Sequence, residues 1–186
     1  TIELVEIPQN VSSDTWRVTV FQGGTEPHII NNNYKIELTA EARNAILDCR
    51  LYLDNKLAKQ KQPFYGINTG FGSLCDIIIN DDQLNALQEN LVKSHACGMG
   101  SEIPQEIVKL MLLLKVQNLA YGNSAAQLVT VERLITFYNE DCLPVVFEMG
   151  SLGASGDLAP LAHLSLPLIG DGEVYLKGER MTSAEA

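Results

Sequence analysis

The sequence predicts a mainly α fold with a small β element near its start. Three observations point there. Apolar residues recur at helical spacing in two stretches, and a third is apolar nearly all round. Capping residues, prolines and glycines punctuate those stretches where helices begin and end. Alternating, β-branched character is confined to WRVTVF at 16–21 and a short run before Leu38.

WRVTVF reads as a short strand and GGTEPH, at 23–28, as a turn. Thr39 is an N-cap candidate with Glu41 in the first turn, where acids complement the helix dipole. Ala42, Ala45, Ile46, Cys49, Leu53 and Leu57 then mark one face of a helix over about 39–60. Residues 63–80 form a glycine-rich loop. Asp81 and Asp82 open a second helix whose apolar face carries Leu84, Leu87, Leu91 and His95; Gly98-Met99-Gly100 breaks it. Pro104 opens a third helix, apolar nearly all round, which predicts burial. A fourth runs from about Thr130 to Asn139, and Pro144 closes that region. A fifth starts near Asp157 with Pro160 in its first turn, where proline is tolerated.

The bulk composition bounds the function. The chain has 186 residues, 46% hydrophobic and 19% charged, which suits a globular domain with a buried core. Its 13 basic and 23 acidic residues leave a formal net charge of −10. Nucleic acid and anionic membrane are poor partners for such a surface, because phosphate binding needs a basic face. No apolar run approaches the ~18 residues of a membrane span, and TIELVEIPQN lacks the basic start of a signal peptide. The four cysteines are widely spaced with no CxxC pair, which argues against a zinc cluster and fits a reducing cytoplasm.

Three stretches are candidates for chemistry, each with a structural reading beside it. GSLGASGDLAP, at 150–160, strips side chains away around Ser155. A serine-hydrolase elbow needs GxSxG, but Asp157 stands where the last glycine should be. A phosphate loop needs GxxxxGK[ST], which is absent. A glycine turn capping a helix remains the structural alternative. In FYGINTGFGSL, at 64–74, Tyr65 stands at the mouth of a mobile or tightly turned loop, as a reactive phenol or as an anchor. In NLVKSHACGMG, at 90–100, His95 lies on an apolar helix face, where a satisfied core histidine is the simpler reading.

Together, YGINTGFG, SHACGMG and GSLGASGDLAPLAHLSLPLIGDGEVYLKG resemble the aromatic amino acid ammonia-lyases and aminomutases that carry a methylidene-imidazolone (MIO) electrophile. The likeness extends over nearly all of the chain after residue 38. It implies that residues 1–186 correspond to the N-terminal portion of such a lyase, the start of a long fumarase/aspartase-like helical bundle whose C-terminal part lies outside this chain. It also implies a cytoplasmic homotetramer with composite active sites.

The resemblance assigns Ala154, Ser155 and Gly156 as the MIO precursor. The Gly156 nitrogen attacks the Ala154 carbonyl, and Ser155 loses water to leave a methylene. Glycine permits the bend, alanine adds little bulk, and serine supplies the leaving hydroxyl. A helix starting at Asp157 would place its positive end beside the ring. By the same resemblance Tyr65 is the base that removes a proton from the substrate β-carbon. A phenol ordinarily titrates near pH 10, about three units above neutrality, so that role needs a supporting environment. Ser94 and His95 are implied to bind the substrate side chain. SHACG and the GEVYLKG tail follow the histidine-specific branch, which implies elimination of ammonia from L-histidine to give urocanate. The same chemistry on tyrosine or phenylalanine, an aminomutase, and a non-catalytic helical interaction module are the alternatives. One departure stands out: GNSAAQ, at 122–127, has Ala125 where the family often has glycine.

Overall fold

A computed structural model describes residues 15–18, 34–60, 62–70, 75–151 and 158–186. The mainly α reading holds. The first strand, β1 (Thr15–Val18), pairs in parallel with β2 (Lys35–Leu38), with Trp16 opposite Ile36. Residues 19–21 of the expected strand, and the expected turn at 23–28, lie outside the described residues. Helix α1 (Ala40–Lys59) begins where its cap chemistry predicts: the Thr39 hydroxyl accepts the Ala42 N–H at 3.2 Å. Ala42 and Ile46, on the expected face, are buried.

A single 3₁₀ turn at Asp81–Gln83 leads into α2 (Leu84–His95). The helix ends at His95, before the Gly-Met-Gly stretch expected to break it, and that stretch instead leads into a strand, β3 (Met99–Glu102). Helix α3 (Gln105–Ala120) follows Pro104. Its burial is one-sided among the described residues: Val108, Leu112, Leu113 and Val116 are fully buried, whereas Ile107 and Leu114 are about half exposed. Helix α4 (Leu128–Asn139) starts one half-turn earlier than Thr130. Strands β4 (Cys142–Pro144) and β5 (Phe147–Met149) come next, then α5 (Leu158–Ser165) with Pro160 in its first turn. A hairpin, β6 (Glu173–Leu176) and β7 (Glu179–Thr182), closes the described chain.

That hairpin was not expected from the sequence. Its two-residue turn has Lys177 at φ 52° and Gly178 at φ 89°, the left-handed pair that joins tightly twisted strands. It adds β4 to form a three-stranded antiparallel sheet in the order β4-β6-β7. β3 and β5 form a separate antiparallel pair with an irregular register between Met99 and Glu102. Arg180 of β7 binds Glu173 across the hairpin and Glu102 at 2.7 Å, and the Tyr175 hydroxyl donates to Glu102 at 3.0 Å. The two β layers are thereby tied together through Glu102.

The core lies between α1, α3 and α4, with β2, β4, α5 and β6 against it. Ile36, Ile46, Leu112, Leu113, Val131, Leu164 and Val174 are at most 2% exposed. Each such aliphatic side chain contributes roughly 1.5–3 kcal/mol by leaving water. Tyr138 is buried within this core, and burial together with Asp141 pushes its phenol up to about 12. Lys109 spans that corner, 5.1 Å over the Tyr138 ring and paired with Asp141. Gly122, at φ 68°, lets the loop after α3 lie directly on α1: a Cβ there would stand 2.6 Å from the Ala45 carbonyl.

Candidate functional site

Tyr65 stands on a tightly braced turn. The Asn68 side chain holds both ends of it, accepting the Phe64 N–H at 2.7 Å and donating to the Gln62 carbonyl at 3.0 Å. Thr69, fully buried, accepts the Gly66 N–H at 3.3 Å and donates to the Gly70 carbonyl at 2.9 Å. Gly66 takes a left-handed φ of 72°, which reverses the chain just after the tyrosine. The base of the turn is a bridge between Thr69 and Ile78, reinforced by the Ile79 N–H donating to the Asn68 carbonyl at 2.9 Å. Lys56, near the end of α1, lies 5.1 Å over the Phe64 ring. This packing leaves the Tyr65 side 65% exposed. Residues 62–70 are tightly turned, as one of the sequence readings expected; residues 71–74 lie outside the described residues.

Ser94 and His95 end α2. The His95 Nδ1 lies 2.7 Å from the Leu91 carbonyl. A carbonyl can only accept, so Nδ1 carries the hydrogen and the neutral ring keeps its lone pair on Nε2. The Ser94 hydroxyl donates to the same carbonyl at 3.0 Å and stands 3.2 Å from Nδ1. His95 is half-buried rather than a core residue. Its ring is oriented by its own helix, which leaves Nε2 able to accept a hydrogen bond.

Three chain segments meet just beyond His95. The His163 Nε2, on α5, accepts the Gly98 N–H at 2.9 Å. The His163 ring also meets Phe147 of β5 edge-on, with centroids 5.2 Å apart. His163 is 7% exposed, and burial lowers its pKa below the ordinary histidine value. There is no room for a side chain at Gly98: a Cβ would stand 2.8 Å from His163 Nε2 and 3.1 Å from the Phe147 Cβ. Gly150, at φ 134°, packs on Gly98 in turn, where a Cβ would come within 2.9 Å of the Gly98 Cα and 3.2 Å of the Ala159 Cβ.

Gly150 and Ala159 are therefore neighbours. Ala154, Ser155 and Gly156 belong to the interval between them and lie outside the described residues, as does Asp157. The structure thus brings the end of the Ser94-His95 helix to both flanks of the Ala-Ser-Gly segment. Sequence reasoning missed His163. The available signal was a lone histidine in LAPLAHLSLP, four residues after Ala159 on the apolar face of a short helix. No group of histidine, cysteine or acidic side chains among the described residues could hold a metal ion. Among them, too, no helix is long and apolar enough to cross a membrane.

Residues 27–186 match the family model described as aromatic amino acid lyase. The histidine ammonia-lyase of Symbiobacterium thermophilum is 46% identical over 158 residues, covering 85% of this chain and 31% of that protein. The histidine ammonia-lyase of Deinococcus radiodurans is 44% identical over 157 residues, covering 84% of this chain and 30% of that protein. Among solved structures, the histidine ammonia-lyase of Trypanosoma cruzi superposes with a TM-score of 0.72 at 33% identity, over 81% of this chain and 28% of that one. The phenylalanine aminomutase of Pantoea agglomerans superposes with a TM-score of 0.85 at 27% identity, over 94% of this chain and 33% of that one. The chain spans about a third of the length of the curated relatives it matches.

Proposed function

Because the chain belongs to the aromatic amino acid lyase family, we propose that it is the N-terminal portion of a histidine ammonia-lyase, which eliminates ammonia from L-histidine to give urocanate. The observation that carries this reading is the likeness to histidine ammonia-lyases over most of the chain. We read the whole enzyme as a cytoplasmic homotetramer whose remaining substrate contacts come from the part beyond residue 186.

In this reading Ala154, Ser155 and Gly156 supply the MIO group. The flanks fit such a group. Gly150 and Ala159 are neighbours on either side of that segment. Gly98 and Gly150 keep side chains out of its base. Once formed, the group supplies an electrophilic methylene for the substrate amine. Helix α5 begins at Leu158, so its unpaired N–H groups adjoin that segment and favour negative charge there. Tyr65, on its braced turn, takes the proton from the substrate β-carbon. His95 accepts a hydrogen bond from the substrate ring through Nε2, its tautomer fixed by the Leu91 carbonyl at Nδ1, with Ser94 beside it as a further substrate contact.

An Nε2 acceptor serves an imidazole N–H and a phenol O–H alike, so tyrosine is the second substrate reading. The higher identity to histidine lyases than to the aminomutase favours histidine. The test is to incubate the full-length enzyme with L-histidine, L-tyrosine and L-phenylalanine and to follow urocanate, coumarate and cinnamate by absorbance. L-Histidine should exceed L-phenylalanine by on the order of 10⁴-fold in kcat/KM, as expected for a site built to hydrogen-bond its substrate. The peptide containing Ser155 should be lighter by two waters, and Ser155→Ala should remove most turnover. Tyr65→Phe should lower kcat far more than it changes substrate binding. Faster coumarate than urocanate formation would move the assignment to tyrosine, and an active enzyme with no water loss would remove the electrophile from Ala154-Ser155-Gly156.

A further inference from the structure

We infer that His163 is a positioning residue for substrate recognition: by accepting the Gly98 N–H it sets the end of the His95 helix against β5 and α5, which flank the Ala-Ser-Gly segment. The inference rests on the functional reading above.

The geometry supports a specific role. His95 is the last residue of α2, and Gly98 follows it by three residues. Past the helix, Ala96 still donates to the Val92 carbonyl at 3.1 Å and Cys97 to the His95 carbonyl at 2.9 Å. Gly98 is the next backbone donor, and its partner belongs to another element, 65 residues on. The His163–Gly98 bond is therefore where the α2 terminus is tied to α5. Helix α2 has no fully buried side chain of its own. It packs along α5 through side chains that stay partly exposed, and the directional bond past its end gives that packing a fixed point. The seat of the histidine is also shaped. Phe147 holds the ring edge-on, and Gly98 approaches so closely that its own Cβ would strike Nε2. A shift of His163 would move Gly98, and with it the ring of His95 relative to the reacting atoms. Misplacement by about 1 Å is enough to cost substantial rate or affinity.

The bond needs an acceptor at Nε2, which histidine supplies only when neutral; burial of the ring favours that form. Glutamine can place an amide oxygen near the same point, whereas leucine fills the volume and offers no acceptor.

The test uses full-length His163→Leu and His163→Gln beside the wild type, with three readouts. Hydrogen exchange of the peptide containing Gly98 reports the bond itself. The mass of the Ser155 peptide reports loss of two waters. Steady-state kinetics on L-histidine and L-phenylalanine report recognition. His163→Leu should exchange Gly98 faster, keep the two-water loss, raise KM for L-histidine about tenfold with kcat changed far less, and narrow the preference over L-phenylalanine. His163→Gln should restore slow exchange and most of the KM. Wild-type KM and preference in a folded His163→Leu protein would overturn the inference. So would loss of the two waters' deficit in that variant, because His163 would then act on ring formation. If His163→Leu does not fold, His163→Gln decides: slow Gly98 exchange with a KM still raised would show that the hydrogen bond is not the positioning element, and a restored KM would support it. A wild type that turns over no aromatic amino acid defeats the functional reading, and the positioning role with it. An active wild type with indifferent variants defeats the positioning role alone.

Discussion

The side chain of Asn139 acts as a strand for Ile36. Its Oδ1 accepts the Ile36 N–H at 2.8 Å and its Nδ2 donates to the Ile36 carbonyl at 2.9 Å, although the two residues are 103 positions apart. β2 pairs with β1 on one edge. The last residue of α4 satisfies the other edge, so the small β element is fastened to the helical core at the point where Ile36 enters it.

Asn139→Ala should therefore destabilise the protein by about 2 kcal/mol, from two partly buried backbone groups each losing a partner worth roughly 1 kcal/mol. Urea unfolding of the full-length variant measures it. Asn139→Asp keeps the acceptor and loses the donor, and should fall between the two. A change within experimental error in Asn139→Ala would show that water replaces the amide without cost.

Gly150→Ala and Gly178→Ala separate crowding from backbone strain. Both glycines have positive φ, 134° and 89°. A Cβ at Gly178 meets nothing within 4 Å, whereas one at Gly150 would lie 2.9 Å from the Gly98 Cα. Gly178→Ala should cost on the order of 1 kcal/mol, from strain alone. Gly150→Ala should cost roughly 2–5 kcal/mol, because overpacking against backbone adds to the strain. Equal losses in thermal or urea unfolding would contradict the close approach of Gly98 and Gly150.

Ala125 occupies a left-handed conformation, φ 53°, at the position where the resembling family often has glycine. The departure that stood out in the sequence is thus a backbone-strained residue. Ala125→Gly should stabilise the protein by up to about 1 kcal/mol, the relief of strain being partly offset by greater freedom of the unfolded chain. A lowered urea midpoint would mean that the loop holds Ala125 without strain.

Burial disfavours the charged form of His163, so its folded pKa lies below the unfolded value of about 6.5. Between those two values the unfolded chain binds more protons than the native one, and stability rises with pH. The contribution is fully present above about pH 6.5 and is lost as pH falls through the folded pKa. Asp171, Glu173 and Glu185 are held below their usual range by hydrogen bonds and, for the first two, ion pairs, so they act in a lower window, at and below their own unfolded values near pH 4. Unfolding midpoints taken from about pH 7.5 down to about pH 5.5 should decline less in His163→Gln than in the wild type. Parallel declines would assign the slope to other groups.

Much of the helical outline was written in the sequence. Thr39 with Ala42, Ile46 and the half-buried Leu53 and Leu57 defined α1 from cap to inner face, because capping and helical periodicity are local and repeat within a few residues. Pro104 and Pro160 stood at helix starts for the same reason. Glycine-rich runs marked Tyr65 and Ala154-Ser155-Gly156, whereas the roles of all these residues, and any role for Ser94 and His95, came from the resemblance to the family. The β4-β6-β7 sheet, the role of Asn139 and the seat of His163 were decided only by the tertiary structure. Each joins residues far apart in sequence: Cys142 with Leu176, Ile36 with Asn139, Gly98 with His163. A strand as short as Cys142–Pro144 carries too few residues to show alternation, and a histidine on an apolar helix face looks the same whether its partner is water or a glycine amide. Local patterns record what a residue prefers; which distant backbone group it finally satisfies depends on how the helices pack.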